Sequence, residues 1–251
     1  MPPAPPSPPL SYTTAPSVLP YTLRFHPYTP SAAASQVRHN HRLCVGAAVI
    51  STSSSANNGN NNNNNSNIII IPPRVLLLQR SALEKALPHR WELPGGAAEP
   101  RDGDALAAAA RELWEETGLR AARFAALVGA YQWDGAGDSA PATAVPGDQA
   151  WCLPGGRGVG IAESVEADPR AEVVAGRRDA WRKYTYLVEV EVEAEAEVVV
   201  VVDPEEHEAF VWATEDEARA GRCGDVVLDW TSENQRLDVL KAFEMARKRR
   251  Y

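Results

Sequence analysis

Basic residues are in short supply: 25 Lys and Arg stand against 33 Asp and Glu, a formal net charge of −8. A groove for a nucleic-acid backbone needs a basic stripe to neutralise phosphates, so the charge balance argues against a nucleic-acid partner. It leaves room for a small anion held through bound cations. Cysteine is scarcer still. Cys44, Cys152 and Cys223 lie far apart, form no C-x-x-C pair and leave an odd count. That pattern excludes a disulfide framework and fits a reduced compartment. Long apolar runs are also missing: residues 198–202, the longest in the C-terminal half, are far too few to cross a bilayer and read as a buried strand. The N-terminal residues have neither a charged start nor an apolar signal core, and no basic residue precedes Arg24. The expectation is therefore a cytoplasmic chain away from membranes, with the nucleus open.

With 251 residues and 44% apolar content, the chain can bury one good core. Residues 1–17 are proline-rich and read as an extended, solvated tail rather than as a ligand for an SH3-type domain. Residues 18–251 read as a single domain with two insertions. One is the Asn/Ser-rich tract 52–67, which sits where a hairpin turn would suffice between strands at 42–51 and 68–79. The other is 132–180, rich in Gly, Pro, Ala and Asp, and longer than connections inside compact domains usually are. Further strands are expected at 124–131, 181–193, 198–202 and 209–213. A helix should begin near residues 214–217, with its acids at the positive end of the dipole, and a last helix should run from about 232 to 249. A second Leu-Pro-Gly-Gly, at residues 153–156, has no Arg-Glu-x-x-Glu-Glu after it and reads as a chance turn.

Residues 93–119 say the most. Nothing breaks a helix from 104 to 117, Asp102 or Asp104 can cap its start, and Gly118 suits the left-handed residue after its end. Glu112, Glu115 and Glu116 then stand at i, i+3 and i+4 and project from one face. Three carboxylates on one face repel one another unless cations sit among them, and hard divalent ions such as Mg2+ or Mn2+ take such oxygen ligands. Spacing alone leaves two readings open, an acidic surface and a metal site. Pro94-Gly95-Gly96 brings backbone close to this face, and Ala107 to Ala110 permit close packing of the helix.

The run Arg111-Glu112-Leu113-Trp114-Glu115-Glu116-Thr117-Gly118-Leu119, led in by Trp91-Glu92-Leu93-Pro94-Gly95-Gly96, closely resembles the signature of the Nudix hydrolases. The second half of that signature matches at every fixed position. In the first half the register slips by one: counted from Gly96 the family glutamate falls on Asp102, and counted back from Arg111 it falls on Gly103, so one residue has been added to the loop. Glu99 stands where many members also carry an acid. The resemblance implies an α/β fold, the Nudix α/β/α sandwich with a mixed β-sheet. It also implies hydrolysis of a diphosphate bond in a nucleoside diphosphate linked to another moiety, by water attack on phosphorus with bound Mg2+, or Mn2+ in its place.

By the same resemblance Glu115 and Glu116 are the principal metal ligands, with the carbonyl of Gly96 as a further one. Glu112 is a ligand or the general base, and Arg111 holds a glutamate in place, with Glu115 one turn on as a partner. Members of the family often complete the site with an acid from outside the box. Glu205, Glu206 and Glu208 are the candidates, Glu206 foremost. For the substrate, Arg80 or Arg90 can meet a phosphate, and Tyr131, Trp133 or Trp181 can stack on a base. Arg80 and Trp133 are preferred, and Trp91 is read as core at the base of the loop. The expected partner is a small-molecule nucleotide derivative, with a homodimer compatible with the sequence. Two other readings stand behind this one: a regulatory or nucleotide-binding module that keeps the fold without hydrolysis, and a messenger-RNA decapping enzyme, against which the acidic balance counts.

Overall fold

The strand Arg42–Ser51 has no solvent side. Val45, Ala47 and Val49 turn into one apolar cluster and Ala48 into another. The strand Arg74–Arg80 divides the same way, Leu76 and Leu78 against Val75 and Leu77. Side chains alternate along a strand, so a sheet buried on both faces must carry a layer on each. In this computed structural model, which describes residues 11–23, 42–51, 54–56, 68–70, 72–134, 139–141, 180–191 and 198–249, those layers are helical.

The elements run β1 (Thr13–Thr14), β2 (Arg42–Ser51), β3 (Ser54–Ala56), β4 (Ile68–Ile70), β5 (Arg74–Arg80), β6 (Trp91–Glu92), α1 (Ala105–Thr117), β7 (Ala121–Asp134) and β8 (Ser139–Pro141). There follow β9 (Ala180–Val190), β10 (His207–Thr214), α2 (Glu215–Ala220), β11 (Arg222–Cys223), β12 (Val226–Val227) and α3 (Glu233–Lys248). The main sheet has the order β1-β7-β9-β2-β5-β10, with β6 on β5 and β8 on β7. It is mixed: β2 runs parallel to β9 (Val45 beside Tyr184) and antiparallel to β5 (Ile50 beside Val75). Helix α1 covers one face with Ala105, Leu106, Ala108, Ala109 and Leu113, and α3 covers the other with Val239, Ala242 and Phe243. This is the expected α/β/α sandwich.

The helix ends follow local chemistry. Asp104 caps α1 by accepting from Ala107 N–H at 2.8 Å, and Gly118 leaves the helix at φ +71°. Thr214 and Glu217 form a reciprocal capping box on α2, and Ser232 caps α3.

Four expectations are corrected. Residues 12–17 do not belong to a tail: β1 pairs with β7, Ala15 N–H donates to Phe124 O at 2.9 Å, and Val18 and Leu23 are buried in the α1-side cluster. Proline does not prevent a segment from packing when apolar residues stand between the prolines. Residues 1–10 lie outside the described residues. The strand expected at 68–79 is divided into β4 and β5 at Pro72-Pro73, which have no N–H to offer a ladder. Residues 198–202 form no strand. Val198, Val200 and Val202 pack on the core while Val199 and Val201 face outward, and Val201 N–H donates to Thr117 O at 3.0 Å. Finally, the segment read as one long insertion after residue 131 begins with sheet: β7 continues to Asp134, and Gln132 pairs with Ala140 of β8. Most of that segment, and most of 52–67, lies outside the described residues.

Candidate metal centre

The loop at residues 94–98 is laid along β2 as if it were another strand. Ala47 N–H donates to Pro94 O at 2.8 Å, Val45 N–H to Gly96 O at 2.9 Å, and Ala98 N–H to Leu43 O at 2.8 Å. The two glycines answer two different demands. Gly95 sits at φ +143°, where a Cβ would come within 2.1 Å of Val45 O. A Cβ on Gly96 would come within 2.8 Å of Glu112 Oε1. The Glu112 carboxylate therefore lies directly against the Gly96 backbone. The Gly96 carbonyl, having accepted from Val45, keeps one lone pair.

Helix α1 then delivers its acids into this corner. Ala108, Ala109 and Ala110 are buried and let the helix approach the sheet closely, so Glu112 and Glu116 end up 8% and 3% exposed. Glu115 is more open. Glu116 Oε2 accepts from Gly95 N–H at 2.7 Å, which ties the helix to the loop.

Arg111 is saturated by acceptors. Its Nε and Nη2 grip Asp102 at 2.7 and 3.0 Å, Nη1 donates to Glu115 Oε2 at 2.7 Å, and Nη2 also donates to Ala97 O at 3.0 Å and pairs with Glu112 Oε1 at 3.0 Å. Asp102 thus takes up the fork of the arginine. The extra loop residue is absorbed by a 3₁₀ turn at Pro100–Asp102, in which Glu99 N–H donates to Asp102 at 2.7 Å, and by Gly103 at φ +78°.

The electrostatics are unbalanced toward negative charge. Burial, and then the charges of Glu112 and Glu92, push the Glu116 carboxyl well above the ordinary carboxylate range. Burial likewise pushes Glu112 up to about 7, against the pull of Arg111. Burial also raises Glu206.

Of the three outer acids, only Glu206 comes to the cluster. One ligand atom each from Glu116, Glu206 and His207 lie within 4.8 Å of one another. Glu208 is turned away to His89 at 2.6 Å and Ala82 N–H at 3.2 Å, and Glu205 stays exposed on the turn.

The substrate candidates are placed less favourably. Arg80 donates to Glu92, Glu84 and Ala86 O at 2.6, 2.5 and 2.9 Å, so it pins Glu92 and the loop after β5 instead of offering its fork to a phosphate. Arg90 pairs with Asp229. Tyr131 is buried, with its hydroxyl donating to Gln235 at 2.8 Å, and it has no open face for a base. Trp133 and Trp181 are neighbours in register between β7 and β9, but their side chains lie outside the described residues. Trp91 is core, 2% exposed.

Three residues escaped the sequence reading. Glu92 is held at about 2: burial raises it, but His207, Lys183 and Arg80 around it lower it further. Lys183 lies buried over Gly46. His207 is buried against both Glu92 and Glu116. Only His207 had a signal, its place inside the acidic run of residues 203–208.

A model of the NUDIX domain matches residues 62–153, the stretch that contains the Gly-Gly loop and α1. Over those residues the chain matches the Nudix domain. As a family, Nudix hydrolases cleave diphosphate bonds in nucleoside diphosphate derivatives and use divalent metals. Among solved structures, the chain is similar to the MutT protein from Methanosarcina mazei Go1 at 16% identity and TM-score 0.43, over 85% of this chain and 99% of that one. It is also similar to the Nudix domain of Shewanella oneidensis NrtR, solved with ADP ribose, at 16% identity and TM-score 0.42, over 89% and 94%. A C. elegans Ap4A hydrolase matches at 15% identity and TM-score 0.38, over 82% and 98%. No curated protein sequence matches the chain. Among the described residues, no helix is long and apolar enough to cross a membrane.

Proposed function

We propose that the protein is a metal-dependent pyrophosphohydrolase that cleaves the diphosphate bond of a small nucleoside diphosphate derivative, with water attacking phosphorus. Glu115, Glu116 and the remaining lone pair of the Gly96 carbonyl hold the ion, Mg2+ or in its place Mn2+. Glu206, on the turn before β10, completes the set beside Glu116. Glu112 joins them as a ligand or accepts the proton of the attacking water.

The observation that carries this reading is the environment of Glu116. It is a buried carboxylate whose strongest charged influences are other carboxylates, Glu112, Glu92 and Glu206. Such a group is costly to bury unless a cation joins it, and the donor set, all oxygen apart from His207, suits a divalent ion. When bound, the ion polarises phosphoryl oxygens, lowers the pKa of a water and offsets charge developing in the transition state.

The chain's own groups do the rest. Gly95 N–H fixes Glu116, and Arg111, locked by Asp102, fixes Glu115. Those bonds hold the acids in one orientation before substrate arrives, so little reorganisation is needed in the reaction. A carboxyl held at about 7, as in Glu112, matches the requirement of a base working near neutral pH.

The test is phosphate-product release from a panel of nucleoside diphosphate compounds, with Glu115→Gln and Glu116→Gln beside the unaltered protein. Turnover that depends on added Mg2+ or Mn2+ and collapses in both variants is expected. Undiminished turnover in the variants would remove the site assignment.

A further inference from the structure

The ring of His207 is 2% exposed, and neither of its nitrogens has a hydrogen-bond partner among the described residues. Buried polar groups are almost always hydrogen-bonded or ligated, so this imidazole lacks a partner. Its surroundings indicate what the partner is. Nε2 stands 3.8 Å from Glu116 Oε1 and 3.9 Å from Glu92 Oε1. A charge-assisted hydrogen bond closes to about 2.7–2.9 Å, so neither carboxylate is within hydrogen-bond reach of the ring.

Glu92 Oε1 is held by Arg80 at 2.6 Å and stays 3.9 Å from the ring nitrogen. Glu116 has its Oε2 on Gly95 N–H and leaves Oε1 toward the histidine. Glu206 supplies the third atom, all three lying within 4.8 Å of one another. A first-row ion with nitrogen and oxygen ligands at about 2.0–2.2 Å spans roughly 4 Å between them, so a small rotation of the exposed Glu206 side chain closes the set. The backbone holds this arrangement in place. His207 N–H donates to Asp203 O at 2.7 Å and Ser81 N–H to Glu206 O at 2.8 Å. Glu206 ends a turn and His207 opens β10, which lets two consecutive residues serve one site.

We propose that His207 is a nitrogen ligand of the divalent-ion site, beside Glu116 and Glu206, and that the site favours an ion that accepts imidazole, of the Mn2+ or Zn2+ class, over Mg2+. Mg2+ keeps to oxygen ligands and waters, whereas imidazole suits transition ions. The proposal rests on reading the Glu116 face as a divalent-ion site.

Pulsed electron paramagnetic resonance of Mn2+ added to the full chain, without nucleotide, tests it. A nitrogen modulation from a coordinated imidazole is expected in the unaltered protein and in His89→Ala, and its loss in His207→Ala and His207→Gln. Loss of an orienting neighbour of a ligand already costs about 10–100-fold in metal affinity, so removal of the ligand should weaken Mn2+ binding by roughly tenfold or more, with Mg2+ affinity close to unchanged. Mn2+ bound without nitrogen modulation, and equally well by the variants, would overturn the role of His207 while leaving a carboxylate site standing. Mn2+ bound by none of the proteins would overturn both readings. Should a His207 variant fail to fold, the spectrum of the unaltered protein still decides.

Discussion

Replacing Glu112 by Gln should make the metal-free protein more stable at alkaline pH. In the fold, burial holds the Glu112 carboxyl at about 7, and in the unfolded chain it returns to the ordinary value of 4.5. Between those two values the folded chain binds more proton than the unfolded one, so the contribution of Glu112 to stability is full below about pH 4.5 and is lost as the pH rises through 7. The difference corresponds to about 3 kcal/mol. Part of it is offset in the variant by loss of the 3.0 Å ion pair to Arg111, although Asp102, Glu115 and Ala97 O still satisfy the guanidinium. A gain of about 2 kcal/mol at pH 8 is therefore expected. Urea unfolding from pH 4.5 to 8 in the presence of a chelator measures it. The unaltered protein should lose stability across that window, Glu112→Gln should lose less, and a saturating divalent ion should stabilise the unaltered protein most. A Glu112→Gln variant no more stable than its parent at pH 8, with the same pH slope, would refute the idea that the site stores uncompensated negative charge.

Gly95→Ala places a Cβ within 2.1 Å of Val45 O at a φ of +143° and should cost about 3 kcal/mol or more in urea unfolding. Asp102→Ala strips two bonds from the 8%-exposed side chain of Arg111 and should destabilise by about 3 kcal/mol. Asp102→Glu keeps the charge and should recover more than half of that loss in the same measurement. Glu206→Gln should lower metal affinity by roughly tenfold in a calorimetric titration, while Glu205→Gln, on the same turn, should leave it close to the parent value.

What could be read from the sequence is what local chemistry determines. Helix α1 announced itself through its cap at Asp104, its left-handed stop at Gly118 and the one-sided placing of Glu112, Glu115 and Glu116, and the Gly-Gly pair marked a close backbone approach. The residues that escaped depend on strand pairing. His207 meets Glu116 because β10 joins the edge of β5, and Lys183 reaches Glu92 because β9 lies beside β2. A lysine in a strand otherwise reads as solvent-facing. Arg80 appeared available for a phosphate because its partners Glu84 and Glu92 are brought to it by a loop and a short strand. The valine run at 198–202 concealed its own alternation: five identical side chains carry no period, and the bond from Val201 to Thr117 accompanies an arrangement in which Val198, Val200 and Val202 face the core.

In the proposed reaction the α1 acids drive attack of water on phosphorus. Hydrolysis of the best substrate of the panel in water enriched in oxygen-18, followed by mass analysis of the products, tests this most directly. One heavy oxygen on a phosphate-bearing product is expected, formed by the unaltered protein with a divalent ion and lost on Glu116→Gln. Label appearing only in a hydroxyl compound released beside an intact diphosphate, or equal turnover by Glu116→Gln, would contradict it.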